Sequence, residues 1–82
     1  MPHLEACKGI LRRLIAKGDI SGTCWAERAL NEYLEATPPK ARSSGLRLIQ
    51  ADVLDQRDAV TGAQHNFADA VNAYIEQKLR NA

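Results

Sequence analysis

Apolar residues recur along this chain at helical spacing, and turn-forming residues separate the recurrences into four blocks. Advancing about 100° per residue, Leu4, Cys7, Ile10, Leu11, Leu14 and Ile15 fall on one stripe, with Lys8, Arg12, Arg13 and Lys17 around the rest of the cylinder. This predicts an amphipathic helix over 3–17, stopped by Lys17-Gly18, where a cation meets the helix dipole and glycine can take positive φ. Asp19 to Thr23 carries turn chemistry, and Ser21 or Thr23 can cap a second helix over 23–36. Its inward face is Ala26, Ala29, Leu30, Tyr33 and Leu34, with Trp25 and Ala36 at the border. Thr37-Pro38-Pro39 breaks the helix, and Pro39 suits the first turn of the next. A third helix over 39–60 then carries Leu46, Ile49, Val53, Leu54 and Val60 on one face. Ser43-Ser44-Gly45 are poor helix formers, so a separate short helix over 39–44 is the alternative reading. Leu48 falls off the main stripe, either covered by the preceding segment or exposed. Thr61-Gly62 closes the third helix, and Asn66 with Asp69 reads as a capping box opening a fourth over 66–80. That last helix would pack Phe67, Ala70, Val71, Tyr74 and Ile75, with Leu79 near the edge.

One heptapeptide occurs twice. Ala29-Leu30-Asn31-Glu32-Tyr33-Leu34-Glu35 returns 41 positions later as Ala70-Val71-Asn72-Ala73-Tyr74-Ile75-Glu76, six of seven positions being identical or swapping aliphatics. Each copy lies in the second helix of a predicted hairpin. The expected architecture is therefore a compact all-α bundle, one domain over 1–82, built as two stacked helical hairpins. In each hairpin an alanine would admit the partner helix and a tyrosine fill the gap beside it. This spacing is similar to the second helix of tetratricopeptide repeats: Ala29, Tyr33 and Ala36 match its small, aromatic and small positions, and Phe67, Ala70 and Tyr74 its aromatic, small and aromatic ones. The preceding helices lack that family's signature, Gln77 stands where its last small residue belongs, and its period is about 34 residues. The resemblance implies a concave, peptide-gripping surface and no chemistry.

Composition narrows the partners. Eleven Lys and Arg face ten Asp and Glu, for a net charge of +1, so no overall field draws the chain to nucleic acid or to an anionic membrane. With 45% apolar and 26% charged residues, the chain reads as globular rather than disordered. No run is apolar and long enough to span a bilayer, and Met1 to Ile20 lacks the pattern of a signal peptide. A cytoplasmic location is the expectation, with Cys7 and Cys24 as reduced thiols.

Chemistry finds little to stand on. Cys7, Cys24, His3 and His65 are the soft ligands, and they lack the paired spacing of a zinc site. A Cys24–His65 dyad can be drawn, as can carboxylate pairs among Asp52, Asp55, Asp58 and Asp69, but acids three apart on a solvent face are ordinarily just solvated. No nucleophile elbow, metalloprotease helix or phosphate-cradling loop is present. We expect no catalytic residue, no metal and no cofactor.

An interaction surface is the remaining candidate, to which the inward-facing Tyr33 could still present a wet hydroxyl. Trp25, Tyr33, Leu48, Arg12, Arg13 and Arg47 are of the types that concentrate binding energy at interfaces or stand off the core stripe. They suggest a non-enzymatic protein-binding module: a small intracellular regulator, inhibitor or adaptor of the kind that bacteria, their mobile elements or phages encode. Self-association into a homodimer would cover apolar surface that so small a core leaves exposed. Two alternatives stand beside this reading. Lys8, Arg12, Arg13 and Lys17, merged with Lys40, Arg42 and Arg47, would make a phosphate footprint for a nucleic-acid-binding regulator. A chaperone-like helical-repeat peptide binder would instead use a groove lined by the tyrosines.

Overall fold

The computed structural model describes residues 2–81 and is an all-α bundle of four helices: α1 (Pro2–Lys17), α2 (Thr23–Glu35), α3 (Pro39–Asp58) and α4 (Gly62–Arg80). A short 3₁₀ turn, Ile20–Gly22, leads into α2. Short connections make successive helices alternate in direction. The hairpins α1–α2 and α3–α4 stack so that α1 also lies along α3 and α2 along α4. The α1–α4 diagonal is close, whereas α2 and α3 stand further apart across the other. The phenol of Tyr33 spans that wider diagonal and rests against Gly45 of α3.

The stripes read from the sequence form the core. Cys7, Leu11 and Ile15 of α1, Ala26, Ala29, Leu30 and Tyr33 of α2, and Leu46, Ile49 and Val53 of α3 are buried with Phe67, Ala68, Val71 and Ile75 of α4. Gly18 follows α1 with φ +63°, and its N–H donates to the Leu14 carbonyl at 3.1 Å. Pro39 occupies the first turn of α3 as expected. At the α2–α3 corner, Arg42 Nε donates to the carbonyls of Leu34 and Thr37, each at 3.1 Å. The buried Thr37 hydroxyl donates to the Tyr33 carbonyl at 2.6 Å. These bonds satisfy acceptors that a helix C-terminus leaves without partners.

Four local expectations need correction. Neither Ser21 nor Thr23 caps α2: Asp19 accepts from Ser21 N–H at 3.0 Å to start the 3₁₀ turn, and the Thr23 hydroxyl turns back to the Ile20 carbonyl. Helix α3 runs unbroken from Pro39 and ends at Asp58, so no separate helix occupies 39–44. Helix α4 begins at Gly62 rather than 66, which leaves Asn66 exposed inside it with no capping box. Its first turn is held by tertiary bonds, since Gln64 donates to the Ala16 carbonyl and His65 Nδ1 lies 3.0 Å from the Arg57 carbonyl.

The fourth correction concerns the heptapeptides, whose surroundings do not match. Ala29 and Tyr33 are buried, but Ala70 is exposed and Tyr74 half-buried, with the Lys78 ammonium 5.1 Å from its ring centre. Relative to α2, the buried face of α4 is turned about its axis by roughly 60° at 100° per residue. Ala68 takes the place that Ala70 was expected to fill. The likeness to tetratricopeptide repeats thus stops at the spacing of a few residues.

Candidate interaction surface

Among the described residues, the large apolar side chains left in water are Ile20, Trp25 and Leu48, with 72%, 56% and 53% of their surfaces exposed. Trp25 is set by the turn that begins α2. The 3₁₀ segment ends at the buried Gly22, whose Cα side lies against Leu14 and Phe67, and Trp25 emerges three residues later on the flank of α2 that meets α1. The Arg28 guanidinium lies over the indole at 5.8 Å and is 3.2 Å from Glu32. A shallow depression of about 300 Å³ opens beside the indole, lined by Ile10, Arg28, Ala29 and Glu32. A second, on the other side of Trp25, is bounded by Leu14, Lys17, Asp19, Ser21 and Gly22. The outer groove between α1 and α2 is thus apolar where Ile10 and Ala29 floor it, more polar toward Lys17, Asp19 and Ser21, and divided by Trp25.

Leu48 belongs to the opposite flank of α1. It lies one turn before Asp52, which pairs with Arg12 of α1 at 2.6 and 2.9 Å, so by helical periodicity it faces the α1 side of α3. Trp25 and Leu48 thus border α1 on its two sides. Ile20 stands beyond the groove at its Lys17 end. Sequence reading missed Ile20 because it sits in a turn and joins no periodic stripe. The available signal was an isoleucine between Asp19 and Ser21 with no helical face to share.

Tyr33 was expected at the binding surface and is not there. It is 3% exposed, packed toward Gly45, and its hydroxyl is buried without a hydrogen-bond partner among the described residues. An alanine at 29 and a glycine at 45 leave space that the ring fills. No groove lined by the two tyrosines exists on the described surface.

The basic residues do not merge. Helices α1 and α3 are aligned with Arg12 beside Asp52 and Gln56, which puts Arg42 about 15 Å away along the axis at 1.5 Å per residue. Arg42 is occupied with the carbonyls of α2, Arg12 with Asp52, and Lys8 lies 3.9 Å from Glu5. Lys17, Arg13, Lys40 and Arg47 are exposed, but Lys40 and Arg47 lie on the side of α3 turned away from the α1 contact by the same periodicity.

Cys7 is buried, its Sγ 3.8 Å from the Ala29 carbonyl, and burial pushes its thiol up to about 11. Cys24 is exposed on α2. Among the described residues no cluster of His, Cys, Asp or Glu could hold a metal ion, and no helix is long and apolar enough to cross a membrane. No protein-family model matches the chain, and no curated protein and no solved structure matches it either.

Proposed function

We propose that this chain is a non-enzymatic protein-binding module whose partner seats on the α1 side of the bundle, with Trp25 as the anchor. The observation that carries the reading is the exposure of Trp25 between two adjoining depressions, with Arg28 stacked on it. Fully burying a large apolar side chain contributes about 1.5–3 kcal/mol, so a core this small would be expected to draw its tryptophan in. Here the indole stays out, held in place by a cation and ready to be covered. Leu48 and the exposed Arg13 extend the same side, whereas Arg47 faces away from it. The finer reading is a small regulator, inhibitor or adaptor working in the cytoplasm by occupying a partner's surface.

The test is affinity capture from the native cell with the parent chain beside Trp25→Ala and Leu48→Ala variants of unchanged helical content. One specific partner should be recovered by the parent and lost with Trp25→Ala. Equal recovery by all three chains would sink the reading.

A further inference from the structure

We propose that the partner presents an acid-bearing α-helix that crosses α1 at Gly9, with one end of its apolar face on Trp25 and the other on Leu48. This rests on the reading of Trp25 as an anchor and deepens it by naming the kind of segment that covers that side of the bundle.

Gly9 stands in the interior of α1, where glycine is the least favourable residue short of proline. No packing inside the bundle calls for it: among the described residues, a Cβ built there meets no heavy atom within 4 Å beyond its own stretch of helix. Gly45 makes the contrast, since a Cβ there would run into Tyr33. Gly9 lies two residues after the buried Cys7 and two before the buried Leu11, about 200° round the helix from each, so it faces straight out from the core. A glycine so placed lets a second backbone come close.

The exposed apolar side chains on either flank give the direction of approach. Asp52 is level with Arg12, so Leu48, one turn earlier on the parallel α3, is level with Lys8. Trp25 has Ile10 beside one depression and Leu14 beside the other, which sets it level with about residue 12 of α1. The line from Leu48 to Trp25 therefore passes over α1 near Gly9, advancing about 6 Å along the axis at 1.5 Å per residue. Neighbouring helix axes lie about 8–10 Å apart, so the same line runs roughly 13 Å across, from α3 to α2. The crossing is steep. Helices that cross steeply meet at one point, where a single glycine suffices.

A helix covers that span in about ten residues, so the occupant's two apolar ends lie two to three turns apart. Its charge follows from Arg13, exposed one turn after Gly9 and level with Trp25. Among the described residues, Lys8, Arg12 and Arg28 each have a carboxylate within 4 Å and Arg13 has none. The complementary group is a Glu or Asp near the end of the occupant that covers Trp25.

The experiment selects binders of the purified chain from a displayed, tryptophan-free library of random peptides about 16 residues long, enough for some four helical turns. Selected peptides are titrated against the parent and variants, with binding read from the emission of Trp25, the chain's one tryptophan. They should carry apolar residues at helical spacing with an acid among them, and shift that emission to the blue. Gly9→Leu, favoured by helix propensity, should keep the helical content and weaken binding about tenfold or more. Ala16→Leu, exposed two turns further along α1 and clear of the crossing, should leave affinity within about twofold. A library that yields no binder, peptides with alternating apolar spacing or cations in place of acids, or equal affinity of the parent and Gly9→Leu would overturn the proposal. Failure of the underlying reading looks different: Trp25→Ala would then capture the same partner from the native cell as the parent does. Failure of the crossing alone leaves Trp25→Ala without its partner and Gly9→Leu equal to the parent.

Discussion

Gly45→Ala is the substitution on which helix propensity and packing disagree most sharply. Gly45 lies in the interior of α3, where alanine would ordinarily stabilise a helix by about 1 kcal/mol. The new methyl, however, would stand 1.7 Å from the Tyr33 hydroxyl oxygen and 2.8 Å from ring carbon Cζ. Tyr33 is 3% exposed among core residues. Its ring can leave only by opening a void, and α3 can give way only by drawing back from the core. Overpacking of this kind costs about 1–3 kcal/mol, and a rigid phenol facing backbone puts the cost near the top of that range. After the propensity gain, we expect a net loss of about 2 kcal/mol, which lowers Tm by roughly 8–16 °C in a domain of this size.

Tyr33→Phe provides the control. It removes the atom nearest the new methyl and also a buried hydroxyl that has no partner, a group whose burial costs about 1–3 kcal/mol. Alone it should be neutral or stabilise by up to about 1 kcal/mol. In its background, Gly45→Ala should cost about 1 kcal/mol less than in the parent, a coupling that a double-mutant cycle resolves. Urea unfolding followed by far-UV circular dichroism measures all four chains. If Gly45→Ala instead raises stability by the increment propensity alone provides, or if the two changes are additive, the close approach of Tyr33 to α3 is wrong.

Three further outcomes follow from the geometry. Arg42→Ala removes the side-chain donor to the carbonyls of Leu34 and Thr37, leaving Leu34 only the Thr37 N–H at 3.2 Å, and should cost about 1–2 kcal/mol in urea unfolding; an unchanged midpoint would show that water replaces it freely. Native-state alkylation should modify the exposed Cys24 and spare Cys7, buried and raised to about 11, until the chain unfolds; equal labelling rates would contradict that burial. The Ser21 backbone N–H, and then its hydroxyl, hold Asp19 below the usual carboxylate range. A lowered native value means stability fully present above about pH 5 and lost as pH falls through that value. Asp19→Asn should therefore show a smaller fall in Tm than the parent between about pH 6 and pH 3, and an identical fall would remove Asp19 from the acid response.

Helix number, the Pro39 start of α3 and most of the core were legible because each rests on local chemistry: periodic apolar residues, Gly18 at positive φ, a proline pair. The start of α4 was not. Asn66 and Asp69 have the spacing of a capping box, yet the chain is already helical from Gly62. What holds the extra turn is non-local, namely Gln64 on the Ala16 carbonyl and His65 on the Arg57 carbonyl, and no pattern within α4 announces partners 48 and 8 residues away. The basic residues misled for a related reason. Their number is visible in the sequence, but whether they gather depends on how α1 aligns with α3, which the Arg12–Asp52 pair fixes.

The heptapeptides show how like spacing can produce unlike surfaces. Both copies place alanine and tyrosine four apart, but the residue two before each alanine differs: Glu27 in α2 and Ala68 in α4. A carboxylate resists burial while a methyl accepts it, so α2 turns Glu27 outward and buries Ala29 and Tyr33, whereas α4 turns Ala68 inward and leaves Ala70 in water. Gly45 adds to the difference by making room for a phenol opposite α2. The two helices also differ at the exposed position that carries the indole. On α2 the flank toward α1 carries Trp25, while the position 41 residues later is Asn66, exposed and polar. If Trp25 is the anchor proposed above, Trp25→Asn should leave the helical content unchanged and abolish partner capture. The reciprocal Asn66→Trp should not confer partner capture on α4, because an indole there would lack the Ile10, Ala29 and Arg28 surroundings that Trp25 has. Capture of the same partner by a Trp25→Asn, Asn66→Trp chain would mean that an exposed indole is sufficient by itself, and that the groove beside Trp25 contributes nothing.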